Sequence, residues 1–158
     1  MHLEGESKEV LDAAAVDFGM PMGPIELADV VGLDVCNKVA ETLAGDGVEK
    51  QRQMLNEMLA KKHFGKKSGQ GFYEWKDGKA VKESIEGEEN RYPALAERLI
   101  KPFLDECKKC SDEGIVADDE LLDAGIIFGT GFAPFHGGPM NYLANYSGKS
   151  KSAVGAKS

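Results

Sequence analysis

Two turns of similar composition interrupt the helical pattern of this sequence. Residues 18–24 read Phe-Gly-Met-Pro-Met-Gly-Pro, and residues 128–139 read Phe-Gly-Thr-Gly-Phe-Ala-Pro-Phe-His-Gly-Gly-Pro. Each turn follows a segment whose apolar residues recur at helical spacing. Each also ends in a Gly-Pro pair, and proline is well tolerated as the first residue of a helix. The sequence therefore favours short helices joined by Gly/Pro turns.

The two turns belong to a longer internal repeat, whose matched blocks keep the same order in both halves. The blocks pair Glu4-Gly5 with Glu113-Gly114, Leu11-Asp12-Ala13 with Leu122-Asp123-Ala124, Phe18-Gly19 with Phe128-Gly129, Gly23-Pro24 with Gly138-Pro139, and Gly32 with Gly148. This order predicts a duplicated unit of helix, turn and helix. A long amphipathic stretch, Ala94 to Ser111, precedes the second unit. We expect the first unit to lack such a leading helix and to leave apolar surface uncovered.

Capping and stop signals predict four helices in the first half. Ser7 is placed to cap a helix that stops at Gly19, and Pro24 begins a second helix that stops at Gly32. Asp34 is expected to cap a third helix, whose inward residues are Val35, Cys36, Val39, Ala40 and Leu43. The fourth is expected from Gln51 to His63, with Met54, Leu55, Met58 and Leu59 inward.

The region after the fourth helix predicts a small β-hairpin and then a return to helices. Asp77-Gly78 is a turn signal between Phe72–Trp75 and Ala80-Val81, and an acidic linker follows at residues 84–90. The later helices are predicted from Pro93, with a kink at Pro102; from Asp118 as cap to Gly129 as stop; and from Pro139. The predicted fold is all-α with one small hairpin. Its domains are 1–84 and 85–148, with a disordered tail at 149–158.

Composition excludes several classes of protein. The net charge is −8, whereas a nucleic-acid surface needs clustered lysine and arginine. No apolar run approaches the roughly 18 residues of a membrane-spanning helix, so no membrane contact is expected. The three cysteines, an odd number with no secretory signal, favour the reducing cytoplasm.

Cys107 and Cys110 lie three residues apart in a predicted helix. A redox pair has its first cysteine at a helix N-terminus, whereas this pair lies near the C-terminus of its helix. A zinc site needs about four ligands, and no second pair of cysteines exists in the sequence. We therefore expect structural cysteines and no metal site. A thiol redox protein remains a possible interpretation that requires an exposed, acidic thiol.

Longer stretches around the two turns resemble a known family. Residues 17–34, DFGMPMGPIELADVVGLD, and 64–75, FGKKSGQGFYEW, resemble the C-terminal helical domain of the L-3-hydroxyacyl-CoA dehydrogenase family. Residues 98–116, RLIKPFLDECKKCSDEGIV, and 128–143, FGTGFAPFHGGPMNYL, are similar to the further repeat of the multifunctional fatty-acid-oxidation complex α subunit. The resemblance implies tandem helical domains of the 6-phosphogluconate dehydrogenase C-terminal type.

The resemblance also implies roles and partners. In the intact enzyme NAD binds an upstream dinucleotide-binding domain that carries the catalytic His-Glu pair; this sequence has no Gly-x-Gly-x-x-Gly motif, so no catalytic residue is expected in it. Lys67 is the implied cofactor contact, and Met20, Met22 and Tyr142 are the implied contacts to the acyl-CoA substrate. Each also has a simpler interpretation. Lys67 would lie on a solvated turn, and Met20, Met22 and Tyr142 would pack in the protein core.

The implied function is that of a substrate-capping and dimerisation region in fatty acid β-oxidation, inactive by itself. The expected partners are a second copy of the chain and a thiolase subunit. The alternative is a stand-alone helical binding or dimerisation module without a catalytic role.

Overall fold

The computed structural model describes residues 5–43 and 49–146, with Leu43 and Tyr146 described by their backbone alone. Over these ranges the chain forms seven α-helices and one two-stranded antiparallel sheet, so the predicted all-α fold with one hairpin is confirmed. The tail predicted at 149–158 and the inward side chain predicted for Leu43 lie outside the described residues.

The elements follow one another in a simple order. They are α1 (Lys8–Phe18), α2 (Pro24–Val31), α3 (Leu33–Leu43), α4 (Glu49–Ala60), β1 (Glu74–Lys76), β2 (Lys79–Val81), α5 (Tyr92–Asp112), α6 (Asp119–Thr130) and α7 (Pro139–Tyr146). Short 3₁₀ turns occur at Lys66–Ser68, Glu89–Arg91 and Pro134–His136. Within the described ranges, no helix is long and apolar enough to cross a membrane.

Most of the predicted helix ends are confirmed, because their signals are local. The Ser7 hydroxyl accepts a hydrogen bond from the Val10 N–H at 3.3 Å at the start of α1. Gly19 and Gly32 follow α1 and α2 with φ angles of 111° and 105°, values that favour glycine. The Asp118 carboxylate caps α6 by accepting from the Leu121 N–H at 2.8 Å.

Several helix boundaries differ from the predictions by one to three residues. Helix α3 begins at Leu33, so Asp34 lies inside its first turn and does not cap it. Helix α4 runs from Glu49 to Ala60 and ends before His63. Helix α6 continues past Gly129 to Thr130, because Gly131 is the residue that takes the left-handed conformation, at φ 71°.

The face predicted to be buried on α3 is also wrong. Val35 and Val39 are 44% and 49% exposed, whereas Leu33 is fully buried. The polar Asn37 is buried and donates to the Asn56 side chain at 3.1 Å, so α3 packs on α4 through a face that includes an amide pair. The spacing of apolar residues could not predict that the buried face of α3 includes Asn37, because that spacing takes no account of polar residues.

The hairpin forms as predicted. Strands β1 and β2 pair in register Glu74 with Val81 and Lys76 with Lys79. Asp77 and Gly78 form the turn with positive φ angles of 50° and 75°, the combination that a two-residue hairpin loop requires.

The described chain divides into two compact units that do not follow the sequence order. The first unit contains the described residues up to Ala13 together with Met22–Glu89, and the second contains Ala14–Pro21 with the described residues from Asn90 onward. Helix α1 therefore contributes its first half to one unit and its second half to the other. The predicted boundary between residues 84 and 85 stays a prediction.

The core of the second unit is built around α5. Ile100 and Leu104 of α5 are buried with Phe132, which is fully buried in the turn after α6. Around these three residues pack the partly buried side chains of Phe18, Met20, Phe103, Ile126, Tyr142 and Leu143.

Candidate functional site

A buried aspartate organises the turn of the first unit. Asp12 is 1% exposed, and its carboxylate accepts hydrogen bonds from the N–H groups of Ile25 at 2.8 Å and Glu26 at 3.0 Å. These N–H groups belong to the first turn of α2 and have no partner within that helix. Gly23 makes this approach possible, because a Cβ atom on it would lie 2.2 Å from the Asp12 Cβ.

The second unit contains the same arrangement. The Asp123 carboxylate accepts from the N–H groups of Met140 at 2.7 Å and Asn141 at 3.0 Å, the first turn of α7. A Cβ atom on Gly138 would lie 2.3 Å from the Asp123 Cγ. The matched Leu-Asp-Ala and Gly-Pro blocks of the sequence thus make equivalent contacts, which supports their interpretation as a duplication.

A third buried carboxylate fastens the hairpin to the first unit. Asp29 of α2 is 1% exposed and accepts from the backbone N–H groups of Phe72 and Tyr73, each at 2.8 Å. The indole N–H of Trp75 donates to the same carboxylate at 2.9 Å. The hairpin is therefore held to α2 by three charge-assisted hydrogen bonds, which are stronger than neutral ones.

The basic loop before the hairpin is fixed by close backbone packing. The Leu33 N–H donates to the Phe64 carbonyl at 3.2 Å. A Cβ atom on Gly65 would lie 2.3 Å from the Asp29 carbonyl oxygen, and one on Gly71 would lie 2.1 Å from its carboxylate. Only glycine fits at these two positions, so the lysines between them are carried on a loop that packs closely against Asp29 of α2.

Lys67, the predicted cofactor contact, forms an ion pair with Asp34. The ammonium Nζ lies 2.6 Å from Asp34 Oδ1, and both side chains are about half exposed, at 52% and 45%. The hydrogen bond from Lys67 holds the pKa of Asp34 below its usual value. A Cβ atom on Gly32 would lie 2.8 Å from Asp34 Oδ1 and 3.2 Å from Lys67 Nζ, so glycine leaves space for the pair.

The predicted substrate contacts lie in different units. Met20 and Tyr142 are partly buried against the core of the second unit, and Met22 is half-buried in the first. The Tyr142 ring packs edge-on against Phe18, with centroids 5.2 Å apart, and against His136 at 4.8 Å. Met20 and Tyr142 thus belong to the second unit, whereas Met22 belongs to the first.

Tyr142 also lines a cavity of about 260 Å³ in the second unit. His136 and Phe18 line it too, together with the carboxylate-bearing residues Asp17 and Glu97. His136 Nε2 lies 3.2 Å from the Phe18 carbonyl oxygen, a hydrogen bond that requires the proton on Nε2. That bond and the ring contacts fix the imidazole in place.

The cysteines are free thiols in partly or fully buried positions. Cys107 is buried, and Cys36 and Cys110 are half-buried. Burial raises the pKa of the Cys107 thiol, the opposite of what a redox thiolate requires. Among the described residues, no cluster of three His, Cys, Asp or Glu side chains could hold a metal ion.

Comparisons with known proteins connect these features to a family. Residues 1–75 match the family described as 3-hydroxyacyl-CoA dehydrogenase, C-terminal domain, which includes Asp12, Asp29 and Lys67. Residues 1–75 are thus similar to that family. The resemblance of residues 17–34 and 64–75 to this family is thereby confirmed.

The similarity to known proteins extends over the second unit as well. The fatty acid oxidation complex subunit alpha of Shewanella baltica is 42% identical over 154 residues, covering 89% of this chain and 22% of the relative. The same subunit of Shewanella putrefaciens gives the same figures. The chain therefore spans about a fifth of the length of these relatives.

A solved structure shares the fold. The dehydrogenase part of multifunctional enzyme 1 from C. elegans superposes with a TM-score of 0.54 at 28% sequence identity. The match covers 82% of this chain and 32% of that protein. The fold of that structure thus accounts for most of this chain.

Sequence reasoning missed the three aspartates that organise this domain. Asp12 and Asp123 both belong to the matched Leu-Asp-Ala blocks, but the repeat alone does not predict what the two carboxylates bind. One signal was present: an acid on the buried side of a helix must find donors, and the Gly-Pro pair that follows provides a helix N-terminus. Asp29 had no comparable signal, because its donors lie more than forty residues away.

Proposed function

We propose that this chain is the C-terminal region of an NAD-dependent 3-hydroxyacyl-CoA dehydrogenase of fatty acid β-oxidation. In this role it covers the acyl-CoA substrate and contributes subunit contacts, while an upstream dinucleotide-binding domain carries the chemistry. The chain alone is inactive. The similarity to α subunits of the fatty acid oxidation complex supports the pathway, and a thiolase subunit is a further partner of the proposed assembly.

One observation supports the covering role. The second helix of the two repeats, α2 in the first and α7 in the second, differs in how far its apolar side chains are buried. Tyr142 and Leu143 of α7 are partly buried against the α5 core. Leu27 stands three residues after Pro24, as Tyr142 stands three after Pro139, yet Leu27 is 49% exposed.

Helix α2 exposes further apolar side chains. Val30 and Val31 are 41% and 48% exposed, and they share a helix face with Leu27. Exposed apolar residues grouped on one face mark a surface for another polypeptide. In the proposed enzyme the dehydrogenase domain covers this face, and in the isolated chain a second copy does.

Lys67 supports the cofactor role. An ammonium group has three donors, and Asp34 uses one of them. The remaining two are available to a bound ligand, because the side chain is 52% exposed. The ion pair with Asp34 positions the ammonium group before the ligand arrives.

Met20, Met22 and Tyr142 are the proposed contacts to the acyl-CoA substrate. Methionine is unbranched and polarizable, so it adapts to apolar ligands of different shape. Tyr142 offers an apolar ring and a hydroxyl group beside a cavity of about 260 Å³. A cytoplasmic location is part of the proposal, and the free cysteines support it.

The proposal is tested with a chimera in which this chain replaces the corresponding segment of the Shewanella baltica relative. We expect the chimera to oxidise 3-hydroxyacyl-CoA with formation of NADH, and the isolated chain to give none. Lys67→Met should raise the KM for NAD roughly tenfold, the effect of losing a charged hydrogen bond. Lys61→Met removes a nearby exposed lysine and should leave that KM unchanged.

Two results would contradict the proposal. One is NADH formation by the purified chain alone. The other is an unchanged KM for NAD in Lys67→Met within an active chimera. Sedimentation of the isolated chain separates the covering role from a simple monomeric module, because an uncovered α2 face predicts self-association at micromolar concentration.

A further inference from the structure

A second cavity in the second unit is separate from the one that Tyr142 lines. It has a volume of about 300 Å³ and lies between α5 and α6. Its walls are apolar, with Phe103 and Cys107 from α5 and Leu122 and Ile126 from α6. Neither the family resemblance nor the proposed function uses this space.

The mouth of the cavity is formed by apolar side chains that reach solvent. Ile115 lies in the loop after α5 and is 68% exposed, and Leu121 in the first turn of α6 is 58% exposed. Cys110 also lines the cavity and is half-buried. An apolar ligand can therefore enter from solvent without unfolding a helix.

Gly125 leaves part of the cavity wall unfilled. It lies in the middle of α6, where glycine destabilises a helix relative to alanine. A Cβ atom built on it would meet no heavy atom within 4 Å, so close packing does not require glycine here. Its φ angle is not among the positive ones, so the backbone does not require glycine either.

The charges around the mouth restrict what the cavity accepts. The segment 112–120 carries five acids, Asp112, Glu113, Asp118, Asp119 and Glu120, and no basic residue. One of them, Asp112, pairs with Lys108 at 2.7 Å, and the other four keep the segment strongly acidic. Glu106 lines the cavity and pairs with the exposed Lys109 at 3.1 Å. An anionic head group at this mouth would be repelled, whereas a neutral or cationic one would not.

We propose that this cavity binds a single alkyl chain belonging to a molecule whose head group carries no negative charge. Apolar cavities of about 150 Å³ stay dry and take up small hydrocarbons, and ligand pockets begin at about 300 Å³. The volume thus suits one flexible chain and is too small for a helix of a partner protein. The acidic segment disfavours a free fatty acid at low salt.

The first experiment uses the purified chain and three ten-carbon probes, each below its micelle concentration. The probes are 1-decanol, decyltrimethylammonium and decanoate. The rate of Cys110 modification by a thiol reagent reports occupancy, and Cys36 in the first unit is the internal reference. We expect 1-decanol and decyltrimethylammonium to slow Cys110 at least threefold and to leave Cys36 unchanged.

Decanoate should protect Cys110 less than the other probes at low salt. The difference should shrink at about 0.5 M salt, where surface charges are screened over a few ångströms. Equal protection by all three probes at low salt would overturn the charge requirement. No protection by 1-decanol would overturn the site itself.

Matched glycine variants locate the binding. Gly125→Leu places a side chain into the cavity and should abolish the protection. Gly129→Leu adds the same side chain one turn later, where a Cβ atom also meets nothing within 4 Å and the residue does not line this cavity. It should leave protection unchanged, and loss of protection in both variants would contradict the assignment.

A measurement on the unmodified chain keeps the proposal testable if Gly125→Leu does not fold. Nuclear Overhauser effects should connect the 1-decanol chain with the methyl groups of Leu122 and Ile126. Contacts confined to the exposed Phe128 ring, which is 90% exposed, would instead place the alcohol on the outer surface of α6 and overturn the proposal.

Discussion

Asp12 and Asp123 hold equivalent positions in the two halves of the chain. Each carboxylate accepts two hydrogen bonds from the first turn of the helix that follows, at 2.8 and 3.0 Å for Asp12 and at 2.7 and 3.0 Å for Asp123. Anionic acceptors are favoured at a helix N-terminus by the helix dipole. The contact therefore sets the angle at which one helix leads into the next in both repeats.

Replacing either aspartate should destabilise its own unit. Asp123→Asn keeps the size of the side chain but loses the charge and one acceptor oxygen, and hydrogen bonds to charged groups are worth about 1.5–3 kcal/mol each. We expect the free energy of unfolding in urea to fall by about 2 kcal/mol or more. The exposed first-turn acid Glu120 is the control, since Glu120→Gln should stay within about 0.5 kcal/mol.

Gly23→Ala tests the close approach without backbone strain. The φ angle of Gly23 is −70°, so alanine is allowed there, but its Cβ would lie 2.2 Å from the Asp12 Cβ. Overpacking of this kind costs about 1–3 kcal/mol. Gly125→Ala should have the opposite sign and stabilise α6 by up to about 1 kcal/mol, because its Cβ meets nothing within 4 Å.

Thermal and urea unfolding measure the change in unfolding free energy for Gly23→Ala and Gly125→Ala. Destabilisation by both would show that α6 does not tolerate a larger residue at position 125. Stabilisation by both would mean that Asp12 moves away from Gly23 at no cost.

The burial of Asp12 should appear in the pH dependence of stability. Burial raises the pKa of Asp12 above its usual value, although hydrogen bonds from Ile25 and Tyr73 act against the rise. The folded chain then binds this proton more tightly than the unfolded chain. The contribution of Asp12 to stability is therefore largest below the unfolded pKa of about 3.9, and it is lost as pH rises through the raised folded pKa.

A comparison with Asp12→Asn isolates this contribution. The unfolding free energy of the unmodified chain minus that of Asp12→Asn should decrease as pH rises from about 4 towards neutrality, because only the unmodified chain has the titrating group. Tyr73→Phe removes the hydroxyl that donates to Asp12 at 2.8 Å and should raise the pKa further, extending the decrease to higher pH. A difference that grows with pH would contradict the expected sign.

The Asp34 carboxyl should titrate in the opposite direction. Its pKa is lowered by the hydrogen bond from Lys67, and both side chains are about half exposed. Lys67→Gln should return the pKa of Asp34 towards its usual value, as followed by carboxyl chemical shifts. Added salt should make the lowering of the Asp34 pKa smaller in the unmodified chain. If neither Lys67→Gln nor added salt changes the Asp34 pKa, the ion pair does not form in solution.

Local signals predicted the helices and the hairpin well. Ser7, Pro24 and Asp77-Gly78 each satisfy or restrict backbone groups within a few residues, so their effect can be predicted from the sequence alone. Asp34 was assigned to the same class, and that assignment was wrong because α3 begins one residue earlier, at Leu33. The Asp34 carboxylate instead pairs with a lysine on a distant loop.

The packing of the units was harder to predict than their helices. Apolar spacing placed Val35 and Val39 inside, but both are about half exposed, because the amide of Asn37 occupies the buried face of α3. The roles predicted for Lys67 and Tyr142 came from family resemblance, and no spacing rule could supply them. A side chain whose partners are distant in the sequence produces no periodic pattern from which its role could be predicted.

The division of α1 between the two compact units affects how the protein could be dissected. Phe18 and Met20 come early in the sequence, yet they pack against Ile100 and Leu104. A cut in the acidic linker would leave Phe18 and Met20 on the N-terminal fragment and Ile100 and Leu104 on the C-terminal fragment. Limited proteolysis there should yield two pieces that remain associated, and separating them should require denaturant.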